Sequence, residues 1–474
     1  MNGLKKIGQI KTYRSDEISF TKFGIGLEKL DRNMFDPEQT YEPLAEAGVK
    51  YVRLQSGWQR TEKTKGVYDF GWLDEVVDKL LARGMKPWLC LCYGNELYTE
   101  AAKKQFGAVG VPPIFSDEDK AAWRAYCRAT AEHYAGKIEL YEVWNEPDGV
   151  WCWKHGPSGT EYGNFVIETA KAVKAGDSGA KIAAGSIYSV YHSPAWVHDV
   201  FETGAGAYID YITYHEYSRR ELEVPNTVNY LRALINRYNP NIKIVQGESG
   251  SPSEPNGNGA MCKGNWSQDK QAKLLLRRLI VDLNTEVEFT SWFTTVDMSE
   301  ALYGENGNVA SYLDYGYFGI LGAQFDDEGK SIGTFEPKKS YYALKNLCGL
   351  FGRDGASPAL LPIFPMGEHY TERVFGYTVA GRELARFGFR KPNGSSAYFY
   401  YKSSDLMTET YDGLTTLTVD MPEEKVRLVD PMDGAVYEIP EEMKKREGGV
   451  YVLDEIPVRD YPLVLTFGDF FEEE

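Results

Sequence analysis

Short apolar segments and longer amphipathic segments alternate between residues 21 and 355. The apolar segments have the length and the Val, Ile and aromatic content of strands, and the amphipathic segments have apolar residues at helical spacing. The predicted strands are 22–27, 49–55, 85–93, 138–144, 181–186, 208–215, 242–248 and 287–294. Each is followed by a predicted helix, at 39–48, 71–84, 117–135, 160–174, 195–202, 228–237, 268–283 and 340–349. Eight strand–helix units in succession predict an α/β fold with a closed (β/α)₈ TIM barrel, and they disfavour a doubly wound sheet.

The pattern changes at about residue 356. Short segments that alternate between apolar and polar residues follow, such as "SSAYFYY" and "GLTTLTVD", and Asn-Gly, Asp-Gly and Gly-Gly turns separate them. This alternation predicts a C-terminal antiparallel β-sandwich over residues 356–474. Residues 1–20 are expected to add a strand to that sandwich, which leaves residues 21–355 as the barrel domain.

Composition narrows the classes of partner. A chain of 474 residues is long enough for two domains, and its net charge of −17 disfavours a nucleic acid or an anionic membrane as partner. No apolar run reaches the roughly 18 residues of a membrane span. The N-terminal segment lacks the apolar core of a signal peptide, so the chain is expected in the cytoplasm unless a leader has been removed. The six cysteines are scattered without zinc-site spacing, so neither a metal nor a cofactor is expected.

Polar side chains stand where several predicted strands end. In a (β/α)₈ barrel these carboxyl ends meet at one face, where the chemistry of such barrels is carried out. The fourth strand, "IELYEVW", runs directly into Asn145 and Glu146. The other polar or aromatic positions at strand ends are Arg53, Gln55, Tyr93, Asn95, His215, Glu216, Tyr217, Gln246, Glu248 and Trp292. We therefore expect these side chains to converge on a single site.

Two of the converging residues, Glu146 and Glu248, are carboxylates. A pair of carboxylates is the minimum for glycoside hydrolysis, because one protonates the leaving oxygen while the other acts as nucleophile or base. Tyr217 is a candidate donor to an ionised carboxylate, Asn145 is a candidate ligand for a sugar hydroxyl, and Trp292 offers a flat face to a sugar ring.

Other readings stay open for several of these side chains. His215 is either part of the site or a buried histidine with satisfied hydrogen bonds, and Arg53 either serves the site or pairs with a carboxylate inside the barrel. Trp151 and Trp153 follow Glu146 closely and either contact the sugar or pack within their loop.

The sequence "Trp-Asn-Glu-Pro" at the end of the fourth strand, with a second glutamate ending the seventh, resembles clan A of the retaining glycoside hydrolases. Within that clan, "YEVWNEPDGVWCWKHG" and "SWFTTVDMSE" are similar to family thirty-nine, the β-xylosidases and α-L-iduronidases, and the similarity covers about residues 23 to 350. The relatives usually have an aromatic residue and Asn after the second glutamate, whereas this chain has Ser249 and Gly250.

The resemblance implies roles for individual residues. Glu146 would be the general acid/base and Glu248 the nucleophile. Asn145 would contact the 2-hydroxyl of the sugar, and Trp292 would form the floor of the subsite. The residues that would orient the nucleophile are Arg53, His215 and Tyr217.

The expected function is therefore a retaining exo-β-glycosidase, similar to a β-xylosidase, that acts on oligosaccharides or other glycosides. Its two carboxyl groups should lie about 5–5.5 Å apart. Two alternatives remain: an endo-acting hydrolase that cleaves a polysaccharide, and a barrel that binds carbohydrate without catalysis. A homo-oligomer is possible, and the sequence leaves the oligomeric state open.

Overall fold

In the computed structural model, the described residues are 1, 3–19, 22–366, 373–374, 377–378 and 384–474. Strand β1 (Lys5–Gln9) comes first, and eight parallel strands then close into a barrel. The barrel strands are β2 (Phe23–Gly26), β3 (Tyr51–Gln55), β4 (Lys86–Leu91), β5 (Leu140–Val143), β6 (Lys181–Ile187), β7 (Tyr211–His215), β8 (Lys243–Ser249) and β9 (Thr290–Trp292). Each strand pairs in parallel with the next, and β9 pairs with β2. The predicted (β/α)₈ barrel is confirmed.

Helices follow the barrel strands as the alternating pattern predicts. They are α1 (Glu38–Ala47), α2 (Trp58–Thr61), α3 (Gly71–Leu81), α4 (Asp117–His133), α5 (Gly159–Gly176), α6 (Pro194–Glu202), α7 (Val224–Tyr238), α8 (Gln268–Leu283) and α9 (Lys339–Phe351). Serine side chains cap three of them: Ser116 before α4, Ser158 before α5 and Ser267 before α8 each accept a hydrogen bond from a backbone N–H in the first turn. These caps fix where the helices begin. Among the described residues, none of the helices has the length and apolar character needed to cross a membrane.

The segment between β9 and α9 contains secondary structure that the sequence pattern did not reveal. It forms two short antiparallel pairs, β10 (Met298–Ser299) with β11 (Tyr315–Gly316), and β12 (Leu321–Phe325) with β13 (Ser331–Pro337). The first pair lies beside the carboxyl ends of the barrel strands, because Ser299 is followed by Glu300, which lines the central cavity there.

Antiparallel sheets form the C-terminal region. The strands are β14 (Ser357–Pro358), β15 (Ile363–Met366), β16 (Arg373–Val374), β17 (Tyr377–Thr378), β18 (Leu384–Arg390), β19 (Ser396–Lys402), β20 (Asp412–Val419), β21 (Arg427–Asp430), β22 (Ala435–Glu438), β23 (Lys444–Glu447), β24 (Val450–Arg459) and β25 (Leu463–Phe467). One sheet has the order β1-β22-β21-β25-β19-β18-β14, and a second has the order β15-β20-β24-β23. Residues 367–372, 375–376 and 379–383 of the predicted sandwich lie outside the described part of the chain.

An apolar core joins the facing sides of these two sheets. Leu417 of β20 and Leu453 of β24 share one buried cluster with Tyr400 of β19 and Leu465 of β25. The opposite side of the larger sheet packs on the barrel, where the Phe351 ring at the end of α9 stacks on Phe399 at 5.9 Å between ring centroids. The sandwich is therefore in extensive contact with the barrel, and the core of the barrel continues into the sheet.

Candidate active site

A cavity of about 600 Å³ lies at the carboxyl ends of the barrel strands. Its volume is in the range of sites that bind small molecules. Side chains from the ends of all eight barrel strands line it, among them Glu28, Gln55, Tyr93, Glu146, Tyr188, Tyr217, Glu248 and Phe293. The convergence expected from the polar strand ends therefore occurs at the face where barrel sites are found.

Glu146 and Glu248 face each other across the cavity. His215 lies between them, with its Nδ1 atom 3.0 Å from Glu146 Oε1 and 3.6 Å from Glu248 Oε2. One carboxylate oxygen of each glutamate and a ring nitrogen of His215 all lie within 4.8 Å of one another. This spacing fits a pair of carboxyl groups about 5–5.5 Å apart, the separation typical of retaining pairs.

The same three side chains have the donor set of a metal site, two carboxylates and an imidazole. Each of them also has hydrogen-bond partners within the protein. A proton shared between Glu146 and His215 satisfies two of the same atoms.

Glu248 receives two strong hydrogen bonds. Arg53 Nη1 donates to Glu248 Oε2 at 2.9 Å, and the Tyr217 hydroxyl donates to Oε1 at 2.6 Å. Both bonds favour the ionised carboxylate, since a charged donor and a short O–H···O contact stabilise negative charge. This environment suits a nucleophile, which must be ionised before it can attack.

Glu146 has different neighbours. The Trp151 indole Nε1 donates to Oε2, and His215 lies beside Oε1. The backbone turns sharply here, because Trp144 (φ 68°) and Glu146 (φ 44°) both adopt the left-handed conformation that costs a non-glycine residue roughly 1–3 kcal/mol. A hydrogen bond from Trp144 Nε1 to the Cys152 carbonyl, at 2.7 Å, helps to hold the turn. The turn ends strand β5 and directs Glu146 into the cavity.

Protonation differs between the two carboxyls. Burial raises the pKa of each to about 7, and Arg53 opposes the rise. Because only Glu248 of this pair accepts hydrogen bonds from Arg53 and Tyr217, we assign the negative charge to Glu248 and the retained proton to Glu146. The two groups interact, so the protons leave the pair in two coupled steps.

His215 is neutral near pH 7, because burial lowers its pKa to about 4. Its Nε2 atom lies 3.4 Å from Ser186 Oγ, and Ser186 donates its own proton to Glu142 Oε1 at 2.8 Å. The proton of His215 therefore resides on Nε2, which leaves Nδ1 as an acceptor. Nδ1 can then accept the proton of Glu146, which agrees with the assignment of that proton to Glu146.

Arg53 links the site to the barrel interior. Its Nε atom donates to Glu142 Oε2 at 2.9 Å, and its Nη2 atom donates to Asn145 Oδ1 at 2.8 Å, in addition to the bond with Glu248. Arg53 thus serves the site and also pairs with a buried carboxylate, so both readings of the sequence apply. Glu142 lies on strand β5 and points into the barrel interior, but no sequence pattern indicates which charge it meets there.

Two of the predicted sugar-binding tryptophans do not line the cavity. Trp292 is 1% exposed and belongs to the barrel core, whereas the next residue, Phe293, lines the cavity. Trp153 is fully buried, and its Nε1 donates to Glu161 at 2.9 Å. Trp292 is still within strand β9, and Trp153 packs inside its loop. Trp151 does line the cavity.

The structure also adds residues to the site. Glu28 and Tyr188 line the cavity and were not singled out from the sequence as site residues. Glu28 follows the first predicted strand by one position, so the strand-end rule could have found it. Gly250, which follows Ser249 where relatives have Asn, lies so close to the Phe293 carbonyl that a Cβ would approach its oxygen to 2.0 Å. Any larger residue there would displace the wall that carries Phe293.

Comparisons with known proteins find similarity to glycoside hydrolases. Residues 33–246 match the family model of glycosyl hydrolases family 39. A β-xylosidase of Caldicellulosiruptor saccharolyticus is 30% identical over 196 residues, which cover 36% of this chain and 37% of that protein. The β-galactosidase BgaH of Haloferax lucentense is 44% identical over 54 residues, or 11% of this chain and 8% of that protein.

Each match thus spans well under half the length of the curated relative. Among solved structures, a family 39 glycoside hydrolase from Bacteroides cellulosilyticus WH2 has the same fold, with a TM-score of 0.67 and 15% identity. That alignment covers 97% of this chain and 83% of the other. Residues 33–246 of the barrel are therefore similar to glycosyl hydrolases family 39, and the fold of the chain is that of a solved family 39 enzyme.

Proposed function

We propose that this protein is a retaining exo-β-glycosidase, with Glu248 as nucleophile and Glu146 as general acid/base. The observation that carries the proposal is the unequal environment of two carboxyls that lie close together. Arg53 and Tyr217 bind Glu248, whereas the indole of Trp151 and the imidazole of His215 bind Glu146. Because their partners differ, Glu248 is suited to be the ionised nucleophile and Glu146 the protonated acid.

In the first step, a carboxylate oxygen of Glu248 attacks the anomeric carbon while the bond to the leaving oxygen breaks. Glu146 transfers its proton to that oxygen, so the leaving group departs as a neutral alcohol. In the second step, Glu146 takes a proton from water, and the water oxygen attacks the anomeric carbon from the side that the leaving group vacated. The ester bond to Glu248 breaks, and the sugar leaves with net retention of configuration.

Asn145 and Tyr217 support the charge changes of these steps. The Asn145 Oδ1 atom is held by Arg53 at 2.8 Å, and its Nδ2 atom has a weak contact of 3.5 Å with the Cys152 sulfur. Nδ2 can therefore donate to the 2-hydroxyl of the sugar, where hydrogen bonds strengthen in the transition state. Tyr217 releases its bond to Glu248 as the carboxylate becomes an ester.

The size and rim of the cavity support action on terminal sugars. A volume of about 600 Å³ matches a site for a small ligand. Tyr191 and Tyr303 line the same cavity with 56% and 62% of their surface exposed, which places aromatic rings where a leaving group can stack. The β-xylosidase and β-galactosidase named among the relatives make a terminal pentose or hexose the first substrates to test.

The test of the proposal is hydrolysis of a panel of aryl glycosides, comprising the β-xyloside, β-glucoside, β-galactoside and α-L-arabinoside. We expect turnover on at least one member, with the first-formed sugar in the anomeric configuration of the substrate when proton NMR follows the reaction. Inverted product would contradict the mechanism. Turnover of a polysaccharide alone would favour endo action, and sugar binding without any turnover would favour a binding protein.

The pH profile of kcat/KM should have two limbs. Glu146 must be protonated to act as acid, and its pKa is raised to about 7 by burial, so activity on substrates with poor leaving groups should fall as pH rises through about 7. Activity should also fall in acid, as the pair takes up its second proton and Glu248 loses its charge. In Glu146→Ala, assayed with an activated aryl glycoside, the alkaline limb should disappear. If the alkaline limb persists in Glu146→Ala, a group other than Glu146 causes it.

A further inference from the structure

The loop that follows β7 forms part of the cavity wall. Glu216, Tyr217, Ser218 and Glu223 of this loop all line the cavity. Strand β7 is two strands away from β5 in the order of the barrel. The end of β5 carries Glu146, and the loop after β6 lies between Glu146 and the loop after β7. Tyr188, Tyr191 and His192 of the loop after β6 line the cavity between these two positions. Because Glu146 delivers its proton to the leaving oxygen, we place the leaving group beside this loop and the loop after β7.

The far end of this loop is held by the sandwich. The Tyr401 hydroxyl of β19 donates to Glu221 Oε1 at 2.8 Å. Both side chains are buried, with Tyr401 fully buried and Glu221 1% exposed. Arg277 of α8 lies 3.6 Å from the same Glu221 oxygen, and its guanidinium lies over the Tyr401 ring at 5.1 Å from the centroid. Tyr401 therefore gives the buried Glu221 carboxylate a close hydrogen bond that crosses between the sandwich and the barrel.

A second cavity loop rests on the same part of the sandwich. Gly259 and Ala260 line the cavity within the segment that follows β8. Leu406 forms a buried cluster with Trp266 and Leu274, against which Met261 and Met407 pack. The Met261 carbonyl accepts a hydrogen bond from Trp266 Nε1 at 2.7 Å. The residues immediately after Ala260 are thus fixed against the sandwich.

The sandwich segment itself is held rigidly on the barrel. Arg277 is 1% exposed and donates to the Lys402, Ser404 and Asp460 carbonyls at 3.2, 2.9 and 2.7 Å. Since Arg277 lies on α8, which packs around the barrel, the bonds to Lys402 and Ser404 set the position of residues 401–407 relative to the barrel strands. The third bond holds Asp460, which follows β24.

We infer that residues 401–407 of the sandwich position the leaving-group side of the cavity wall, and that Tyr401 is a positioning residue for substrates with an extended leaving group. The inference rests on the proposed function and deepens it, because it assigns the sandwich a part in substrate recognition. Tyr401 acts through Glu221 on the loop that ends at Glu223, and Leu406 and Met407 act on the loop that contains Gly259 and Ala260.

Tyr401→Phe removes one buried hydroxyl and keeps the ring. Tyr400→Phe is a matched control, because the neighbouring Tyr400 is equally buried and its hydroxyl donates to Pro457 O at 2.9 Å inside the sandwich, away from the cavity loops. Two substrates are compared: the β-linked disaccharide of the sugar that the wild type prefers, and the glycosyl fluoride of that sugar. The fluoride has a single atom as its leaving group and cannot contact the wall.

In Tyr401→Phe, we expect KM for the disaccharide to rise by about 3- to 30-fold, with kcat and both constants for the fluoride unchanged. Tyr400→Phe should change none of these constants, although both variants should lower Tm. Met407→Ala, which loosens the second loop, should shift KM for the disaccharide in the same direction. It provides an independent measurement should Tyr401→Phe fail to fold.

Equal disaccharide KM values in the wild type, Tyr401→Phe and Met407→Ala would overturn the inference. A parallel rise of KM for the fluoride would also overturn it, because the effect would then reach the sugar-binding end of the cavity. A wild type that hydrolyses neither substrate is a different result, since it contradicts the proposed glycosidase function itself and the inference falls with it.

Discussion

Glu248→Ala is expected to lower kcat/KM by about 10⁴-fold or more on every substrate that the wild type hydrolyses. The variant has no atom that can form the glycosyl ester, so the first bond cannot be made. The fold should persist, because Arg53 keeps its ion pair with Glu142 at 2.8 Å after it loses Glu248. An unchanged circular dichroism spectrum and retained binding of sugar would show that the variant loses catalysis and keeps its fold and its binding site.

Added azide identifies the missing group by the product that it forms. Truncation of the Glu248 side chain leaves space on the face opposite the leaving group, so azide can attack there while Glu146 protonates the leaving oxygen. The expected product is the α-glycosyl azide of a β-linked substrate. Glu223→Ala, which removes an exposed carboxylate from the same cavity, should keep kcat on the glycosyl fluoride. Activity retained in Glu248→Ala would show that another group attacks the sugar.

Glu146→Ala is expected to show a loss that depends on the leaving group. For a disaccharide, the general acid is needed to expel a sugar alkoxide, so we expect kcat/KM to fall by about 10²- to 10⁴-fold. For a 2,4-dinitrophenyl glycoside, the leaving group departs without a proton, so kcat/KM should remain near that of the wild type. The second step still needs a base, so kcat should fall and a burst of dinitrophenol should precede the slow steady state.

Azide again separates the two roles. In Glu146→Ala, the glycosyl ester on Glu248 is formed normally, and azide attacks it from the side of the removed carboxylate. This attack should yield the β-glycosyl azide and speed the steady state. If Glu146→Ala gave the α-azide and Glu248→Ala the β-azide, the roles of the two glutamates would be exchanged. Equal losses of kcat/KM on the disaccharide and on the dinitrophenyl glycoside would show that Glu146 is not the general acid.

The barrel was predictable because its signals are local and repeated. Helix α8 begins at Gln268, as expected, since Ser267 caps it and apolar residues follow at helical spacing. The hairpin of β12 and β13 was missed because most of its residues are only partly buried or exposed on both faces. Without a buried face, a strand has no apolar alternation for a sequence pattern to detect.

The site was predictable in its position and only partly in its detail. Polar residues at the ends of buried strands indicated Glu146, Glu248 and their neighbours, because these strand ends meet at the face where such barrels have their sites. Which of Trp292 and Phe293 lines the cavity depends on the residue at which β9 ends, and the predicted strand extended past both of them. The pairing of Arg53 with Glu142 depends on which side chains meet across a closed barrel, and this follows only from the three-dimensional register.

Strand β1 has a consequence for how the chain folds. It precedes every barrel strand in the chain, yet it occupies an edge of a sheet whose adjoining strand, β22, follows the whole barrel, and Gln9 bonds to Asp433 across 424 residues. At about 5–20 residues per second, a ribosome needs roughly 20 to 85 seconds to make the intervening chain. The barrel can close during that interval, whereas the larger sheet of the sandwich can form only after both β1 and β22 have been synthesised. We therefore expect the sandwich to be completed last in co-translational folding, with the contact order of its larger sheet limiting the rate.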